Sequence, residues 1–149
     1  MEKITIQNIH PKLEVKRKSI KLLVENILKS EKADSGVDII LVDDVFMKRL
    51  NRKFVKRNKT TDVLSFGMKE GESDAFKYPS LGDVYVCLDQ AKRQAKEYGV
   101  TFAEEIRLLV THGVLHILGY DHKHIDEERT MRKKEKIYLK TSPPLSPSG

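Results

Sequence analysis

The spacing of apolar residues predicts four β-strands. Apolar and polar residues alternate over residues 3–8, which is the period of a half-buried strand. Residues 37–42 form a continuous apolar run rich in β-branched side chains, and we expect a central strand that is buried on both faces. Residues 63–67 and 83–88 are two further candidates, separated by a long loop rich in Gly, Ser, Asp and Pro.

Helical spacing of apolar residues predicts five helices. Asp43 offers an N-cap for a short second helix, and Gly99 ends the third. Thr101 and Glu104 have the spacing of a capping box, which opens a long helix that ends at Gly119. The predicted helices cover residues 13–29, 44 to about 53, 89–98, 102–118 and 126–139.

The order of these elements, β-α-β-α-β-β-α-α-α, predicts an α+β fold. We expect a small, mixed, four-stranded sheet packed with about five helices. A chain of 149 residues suits one domain with one core, which we place over residues 1–140. Residues 141–149 hold three prolines and three serines, and we interpret them as a disordered tail.

Four of the five histidines lie within residues 112–124. His112 and His116 are four residues apart, so a helix places them on one face, where both can bind the same ion. Gly119 lies where the helix stops, and a positive φ there turns the backbone so that His122 can become the third ligand. The segment therefore predicts a metal site at the end of the long helix.

Three neutral histidines with an open fourth position are typical of a catalytic metal, which lowers the pKa of a bound water to about 7. Zinc suits imidazole ligands best, and we expect one Zn²⁺ per chain, although nickel, manganese or iron could use the same set. Asp121 could orient an imidazole, assist proton transfer or turn the chain. His124 and Cys87 are interpreted as an exposed loop residue and a buried apolar one.

The histidine spacing matches that of the metzincin proteases, with one departure. Those enzymes have a glutamate directly after the first histidine, where it acts as general base. This chain has Gly113 there. Peptide hydrolysis is therefore disfavoured, and phosphodiester hydrolysis by a metal-bound hydroxide is a candidate reaction.

The positive charge of the chain is concentrated in one segment. The formal net charge is +6, and residues 48–59, called here the basic segment, carry seven basic residues and no acidic one. We predict that this segment binds a phosphodiester backbone through Lys53, Lys56 and Arg57, the alternative being a solvated surface. Stacking of bases on Phe54 or Tyr85 is a weaker hypothesis.

The apolar runs are too short for a membrane span, and the N-terminus has no apolar signal region. The expected location is the cytoplasm.

Three segments resemble the bacterial YbeY endoribonucleases in order and spacing: residues 61–66 (TDVLSF), 81–84 (LGDV) and 112–122 (HGVLHILGYDH). The resemblance implies a single-strand-specific, metal-dependent endoribonuclease in 16S ribosomal RNA 3′-end maturation and ribosome quality control. It also implies zinc on His112, His116 and His122, and the small ribosomal subunit and assembly factors as partners.

The chain departs from this family at two positions. Val55 stands where members commonly carry an active-site arginine, and Thr60 stands where they carry proline. Lys56 or Arg57 could replace the arginine, so Arg57 joins Asp121 as a candidate catalytic residue. Two alternatives stay open: a metalloprotease or amidohydrolase, and a non-catalytic RNA-binding ribosome-assembly factor with a structural metal.

Overall fold

The computed structural model of the chain describes residues 4–55, 61–67, 80–120 and 125–142. Within these residues it has four strands and five α-helices, in the predicted order, and the predicted α+β class is confirmed. The strands are β1 (Ile4–Asn8), β2 (Gly36–Val42), β3 (Val63–Gly67) and β4 (Ser80–Cys87). The helices are α1 (Arg17–Ser30), α2 (Asp44–Leu50), α3 (Leu88–Tyr98), α4 (Phe102–Ile117) and α5 (Ile125–Thr141), and a π-helical turn, Asn51–Val55, extends α2.

The strands form one mixed sheet in the order β1-β2-β4-β3. β1, β2 and β4 are parallel, and β3 is an antiparallel edge strand on β4. β2 therefore lies inside the sheet, as its continuous apolar run predicts. Its side chains are buried or half-buried along its whole length.

Alternation along the strands gives the sheet two different faces. The helical face is formed by strand side chains that pack with α1, α4 and α5 in the main core; they include Val37, Ile39, Leu41, Val84 and Val86. The outer face is formed by the alternate residues, including Asp38, Ile40, Val42, Asp83, Tyr85 and Cys87. On the outer face Met47 of α2 buries Val42 and Cys87.

Several element boundaries differ from the sequence prediction. α1 begins at Arg17 and not at residue 13. The Asn8 amide donates a hydrogen bond to the Leu13 carbonyl, and His10 Nδ1 accepts from the Leu13 N–H at 2.9 Å. These contacts hold a turn where the apolar spacing alone predicts helix.

β4 begins at Ser80, three residues before the predicted start, and Leu88 belongs to α3. The register between β2 and β4 shifts in this early part of the strand, where Gly82 has a φ of 145°. A Cβ on Gly82 would lie 2.1 Å from the Phe66 carbonyl oxygen. Only glycine therefore allows β3 and β4 to pair here.

At the C-terminal end, α5 continues through Thr141, the first residue of the expected tail. Ser142 is buried, accepts a hydrogen bond from the Asn26 amide at 2.6 Å and has its carbonyl bound by Arg107. Residues 143–149 lie outside the described residues. In the part of the chain that the structure describes, no helix combines the length and apolar character needed to span a membrane.

Candidate metal and RNA site

α4 is the element that carries the histidine pair. Its N-terminus has the predicted capping box: the Thr101 hydroxyl accepts from the Glu104 N–H at 3.0 Å, and the Glu104 carboxylate accepts from the Thr101 N–H at 3.2 Å. The helix ends at Ile117, and Gly119 has the predicted positive φ, at 107°. His112 and His116 therefore lie in the last turns of a helix with both ends defined.

Gly113 faces the sheet. A Cβ at this position would lie 2.5 Å from Val84 Cγ1 and 3.1 Å from Ser65 Oγ, and the Ser65 hydroxyl donates to the Gly113 carbonyl at 3.1 Å. A glutamate side chain has no space between α4 and this part of the sheet. Glycine at position 113 thus has two consequences. The general base of the proteases is missing, and α4 can lie close to β3 and β4.

The geometry of His112 and His116 fits two zinc ligands after a small adjustment. Their ring centres are 6.4 Å apart, and their planes are inclined by 34°. Two imidazoles that share one tetrahedral zinc, with Zn–N distances of about 2 Å, hold their ring centres about 5 Å apart. Side-chain rotation can close the difference, and the donor chemistry suits zinc.

Glu135 of α5 contacts the first of these histidines. Its Oε2 lies 3.2 Å from His112 Nδ1, and its side chain is only 12% exposed. Glu135 is absent from the site that the sequence predicts. A signal was present, because Glu135 lies four residues after Met131 and three before Tyr138, two buried apolar positions of the same helix.

Glu31 anchors the backbone that follows α4. The Tyr120 hydroxyl donates to Glu31 Oε1 at 2.6 Å, and Lys134 Nζ and the Tyr138 hydroxyl bind Oε2. Burial raises the pKa of Glu31, but the hydrogen bonds from Tyr120, Tyr138 and Lys134 outweigh it and hold that pKa below the usual 4.5. Tyr120 is thereby fixed two residues before His122.

Several predicted site residues lie outside the described residues: Lys56, Arg57, Asp121, His122 and His124. The structure accordingly describes two of the three predicted metal ligands, His112 and His116. Of the predicted RNA contacts it describes Lys53, which lies in the π-helical turn, at the predicted end of the second helix.

A row of aromatic rings crosses the outer face beside Lys53. Successive ring centres are separated by 6.0 Å (Phe46 to Tyr85), 5.8 Å (Tyr85 to Phe66) and 5.3 Å (Phe66 to Phe54). Lys53 Nζ lies 5.3 Å from the Phe54 ring centre, a cation–π contact. Phe54 is 56% exposed, so one end of the row is open to solvent.

The edge strand β3 contributes to the aromatic row on one face and contacts α4, the helix of the histidine pair, on the other. Ser65 points to the helical face, where it binds Gly113 of α4, and the next residue, Phe66, points to the outer face, where it packs on Phe54. The described part of the basic segment and the histidine pair are therefore on opposite faces of the sheet. α4, the helix of the histidine pair, packs on the same edge strand that contributes Phe66 to the aromatic row.

Among the described residues, Asp44, Cys87 and Asp89 form a group whose potential ligand atoms all lie within 4.8 Å of one another. That spacing could hold a metal. Burial raises the pKa of Cys87 to about 12, however, and a thiol must ionise to bind a metal. Arg93 binds both oxygens of Asp44, and His10 binds Asp89 at 2.9 Å, so these contacts compete with any ion.

Comparison with known proteins identifies relatives over nearly the whole chain. The family model described as Endoribonuclease YbeY matches residues 5–142. The protein named Endoribonuclease YbeY from Carboxydothermus hydrogenoformans is 38% identical over 137 residues, which is 90% of this chain and 93% of that protein. Its counterpart from Pelotomaculum thermopropionicum is 39% identical over 143 residues, covering 91% and 94%.

Among solved structures, the solution structure of TM1509 from Thermotoga maritima is similar. It has 30% sequence identity and a TM-score of 0.65, and the match covers 98% of this chain and 99% of that one. The similarity thus extends through all the elements described above.

Proposed function

The chain belongs to the Endoribonuclease YbeY family, a family of RNA hydrolases, and we propose that it is a metal-dependent enzyme that cleaves single-stranded RNA. The proposed role is maturation of the 16S ribosomal RNA 3′ end and ribosome quality control, with the small ribosomal subunit and assembly factors as partners. The proposal of a metal-dependent reaction rests on the histidine pair at the end of α4 and on Gly113, which faces the sheet.

His112, His116 and His122 would hold the metal. A zinc ion held there would supply the Lewis acidity that activates water for phosphodiester hydrolysis. The protein's part is to hold the ligands in place. The contact between Glu31 and Tyr120 supports this, because it restricts the backbone leading to His122.

The RNA strand would be held by Lys53 and Phe54. The exposed Phe54 ring offers a stacking surface for a base, and Lys53, above that ring, offers a cation for a phosphate. From there the RNA strand would run past the edge of the sheet at β3 toward the histidines. Lys56 and Arg57, which follow in the chain, would bind the next phosphates, with Arg57 stabilising transition-state charge and Asp121 assisting proton transfer.

The protease alternative is disfavoured by packing. A glutamate in place of Gly113 would collide with Val84, so a peptidase would need a base from elsewhere. The non-catalytic alternative requires four protein ligands, since structural zinc sites are closed.

The site is tested by RNA cleavage and elemental analysis of the purified protein. We expect chelation to stop cleavage of a single-stranded RNA and added zinc to restore it. His116→Ala should lose both metal and cleavage. The matched control is His124→Ala, which changes a histidine of the same segment without an assigned ligand role. Intact metal content and cleavage in His116→Ala would refute the proposed ligand set.

The RNA contacts are tested by the salt dependence of binding. Each phosphate contact on a single strand adds about 0.7 to the slope of log K against log salt, so neutralising Lys53, Lys56 and Arg57 together should reduce the slope by about 2. Neutralising three exposed lysines of α5, namely Lys133, Lys136 and Lys140, is the matched control and should leave the slope unchanged. Equal slopes for both triple variants would show that the basic segment is a solvated surface and does not bind the RNA.

A further inference from the structure

We propose that Glu135 is a positioning residue that fixes the ring orientation and tautomer of His112 for metal binding. The proposal rests on the proposed metal site and concerns a residue on another helix. α5 packs on α4, and the distance between Glu135 Oε2 and His112 Nδ1 is 3.2 Å. An ionised carboxylate can only accept hydrogen bonds, so in this contact the imidazole Nδ1 carries the proton.

The tautomer decides which nitrogen can bind a metal. A neutral imidazole has one protonated nitrogen, and the other has the lone pair that serves as ligand. With the proton of His112 held on Nδ1 by Glu135, Nε2 becomes the ligand atom. Nε2 is the nitrogen farther from the backbone. Carboxylate contacts of this kind orient metal-bound histidines and increase their basicity in many proteins.

The location of Glu135 supports a specific role. It lies in the buried stripe of α5, between Met131 and Tyr138, where an apolar side chain would pack without a desolvation cost. By contrast, Glu128, two turns earlier on α5, binds the exposed Arg132 at 2.6 Å. Among the described residues, His112 is the hydrogen-bond and ion-pair partner of Glu135.

A shortened side chain at this position should be tolerated. A pocket of about 290 Å³ lies beside the pair, between α4 and α5; it is lined by Leu108, Leu109, His112, Glu128, Met131, Arg132 and Glu135. Water can enter the enlarged pocket and hydrogen-bond the imidazole as donor or acceptor, with no preference for one tautomer, when Glu135 is shortened. We therefore expect Glu135→Ala to fold, and thermal unfolding of the metal-free protein checks this.

The first measurement is zinc affinity by competition with a chromophoric chelator. Glu135→Ala should weaken zinc binding by about 10- to 100-fold. Glu135→Gln should weaken it less, because the amide oxygen can still accept from Nδ1–H. Glu128→Gln and Glu128→Ala are matched controls on the same helix and pocket, and they should bind zinc like the unmodified protein. Unchanged affinity in Glu135→Ala would overturn the proposal.

The second measurement does not depend on metal. In the metal-free protein, at a pH where the imidazole is neutral, ¹⁵N NMR should show His112 protonated on Nδ1. In Glu135→Ala the proton should move toward Nε2, a change that loss of packing alone would not cause. Protonation on Nε2 in the unmodified protein would overturn the proposal.

His116→Ala separates failure of this inference from failure of the proposed function. If His116→Ala loses zinc while Glu135→Ala keeps it, the metal site stands and the positioning role is wrong. If His116→Ala binds zinc as tightly as the unmodified protein, the metal site itself is wrong, and the role of Glu135 falls with it.

Discussion

The two faces of the sheet use the same strands for different purposes. On the helical face, the side chains of β2 and β4 are completely buried under α1 and α4. On the outer face, the neighbouring residues Ile40 and Tyr85 are only half-buried, and Asp38 and Asp83 stand side by side on adjacent strands. The helical face stabilises the fold and holds α4, the helix of His112 and His116, in place. The outer face keeps polar and aromatic groups accessible.

The two sides of the sheet also shift the pKa of carboxylates in opposite directions. Behind the helical face, hydrogen bonds from Tyr120, Tyr138 and Lys134 to Glu31 exceed the effect of burial and lower its pKa. On the outer face, burial and the neighbouring Asp38 both raise the pKa of Asp83. The ionised form is thus stabilised in one place and destabilised in the other.

The largest expected effect follows from introducing a charge on the helical face. Gly113→Glu places a carboxylate where a Cβ already lies 2.5 Å from Val84 Cγ1. We expect the free energy of unfolding to fall by at least about 4 kcal/mol, because the charge is buried without a partner and the helix is displaced. Urea unfolding followed by circular dichroism measures the loss.

Gly113→Ala isolates the steric part of this effect. It should cost about 1 to 3 kcal/mol through overpacking, although alanine is the better helix former. Gly67→Ala is the control, since its nearest contact on that side is the Leu81 carbonyl oxygen at 4.0 Å. A Gly113→Ala protein as stable as the unmodified one would show that α4 can move away from β3.

Replacing consecutive residues of β2 allows a direct comparison of how much each face of the sheet contributes to stability. Leu41 is completely buried on the helical face, and its replacement by alanine should cost about 2 to 5 kcal/mol. Ile40 is half-buried on the outer face, and Ile40→Ala should cost about 1 to 1.5 kcal/mol. Equal losses in urea unfolding would mean that the outer face is as well packed as the helical one.

Most of the helices and strands could be predicted from local sequence patterns, because helix caps and helix-ending glycines depend on residues close together in the chain. The capping box of α4, the Asp43 N-cap of α2, and Gly99 and Gly119 at helix ends all act within a few residues of chain. The predicted start of α1 was wrong because the contacts of Asn8 and His10 compete with helix formation before Arg17. Apolar periodicity does not detect such side-chain contacts.

The site was predicted less completely, because its supporting contacts join distant parts of the chain. The spacing of His112 and His116 is local and could be interpreted directly. Glu135 is 23 residues from His112, and Glu31 is 89 residues from Tyr120. Gly113 was interpreted as a missing base, whereas its packing role depends on the position of β3 and β4.

A smaller, pH-dependent effect is expected at Glu31. Its folded-state pKa is lowered, so the stability it contributes is fully present above its usual pKa of 4.5 and is lost as the pH falls through the folded-state pKa. Glu31→Gln should lower the free energy of unfolding at pH 7 by about 1 to 2 kcal/mol, and this difference should shrink as the pH falls below 4.5 and through the folded-state pKa. The exposed Glu25→Gln on α1 is the control. A loss that is constant with pH would assign the effect to packing.

The smallest effect, with the opposite sign, is expected on the outer face at Asp83. Its folded-state pKa is raised, so ionisation destabilises the protein above that pKa, and the penalty disappears below the usual value of 3.8. Asp83→Asn should therefore raise the free energy of unfolding at pH 7 by less than about 1 kcal/mol, because the site is partly solvated and the new amide can donate to Asp38. Exposed Asp34→Asn is the control.

Tyr85 gives an independent measurement of the same change. Burial raises its pKa above 10, and the charges of Asp83 and Asp38 raise it further. Ultraviolet titration should show this pKa closer to its usual value in Asp83→Asn, since one of the two charges is gone. An unchanged titration of Tyr85, together with unchanged stability, would mean that solvent screens the acidic pair and that the two faces differ in packing alone.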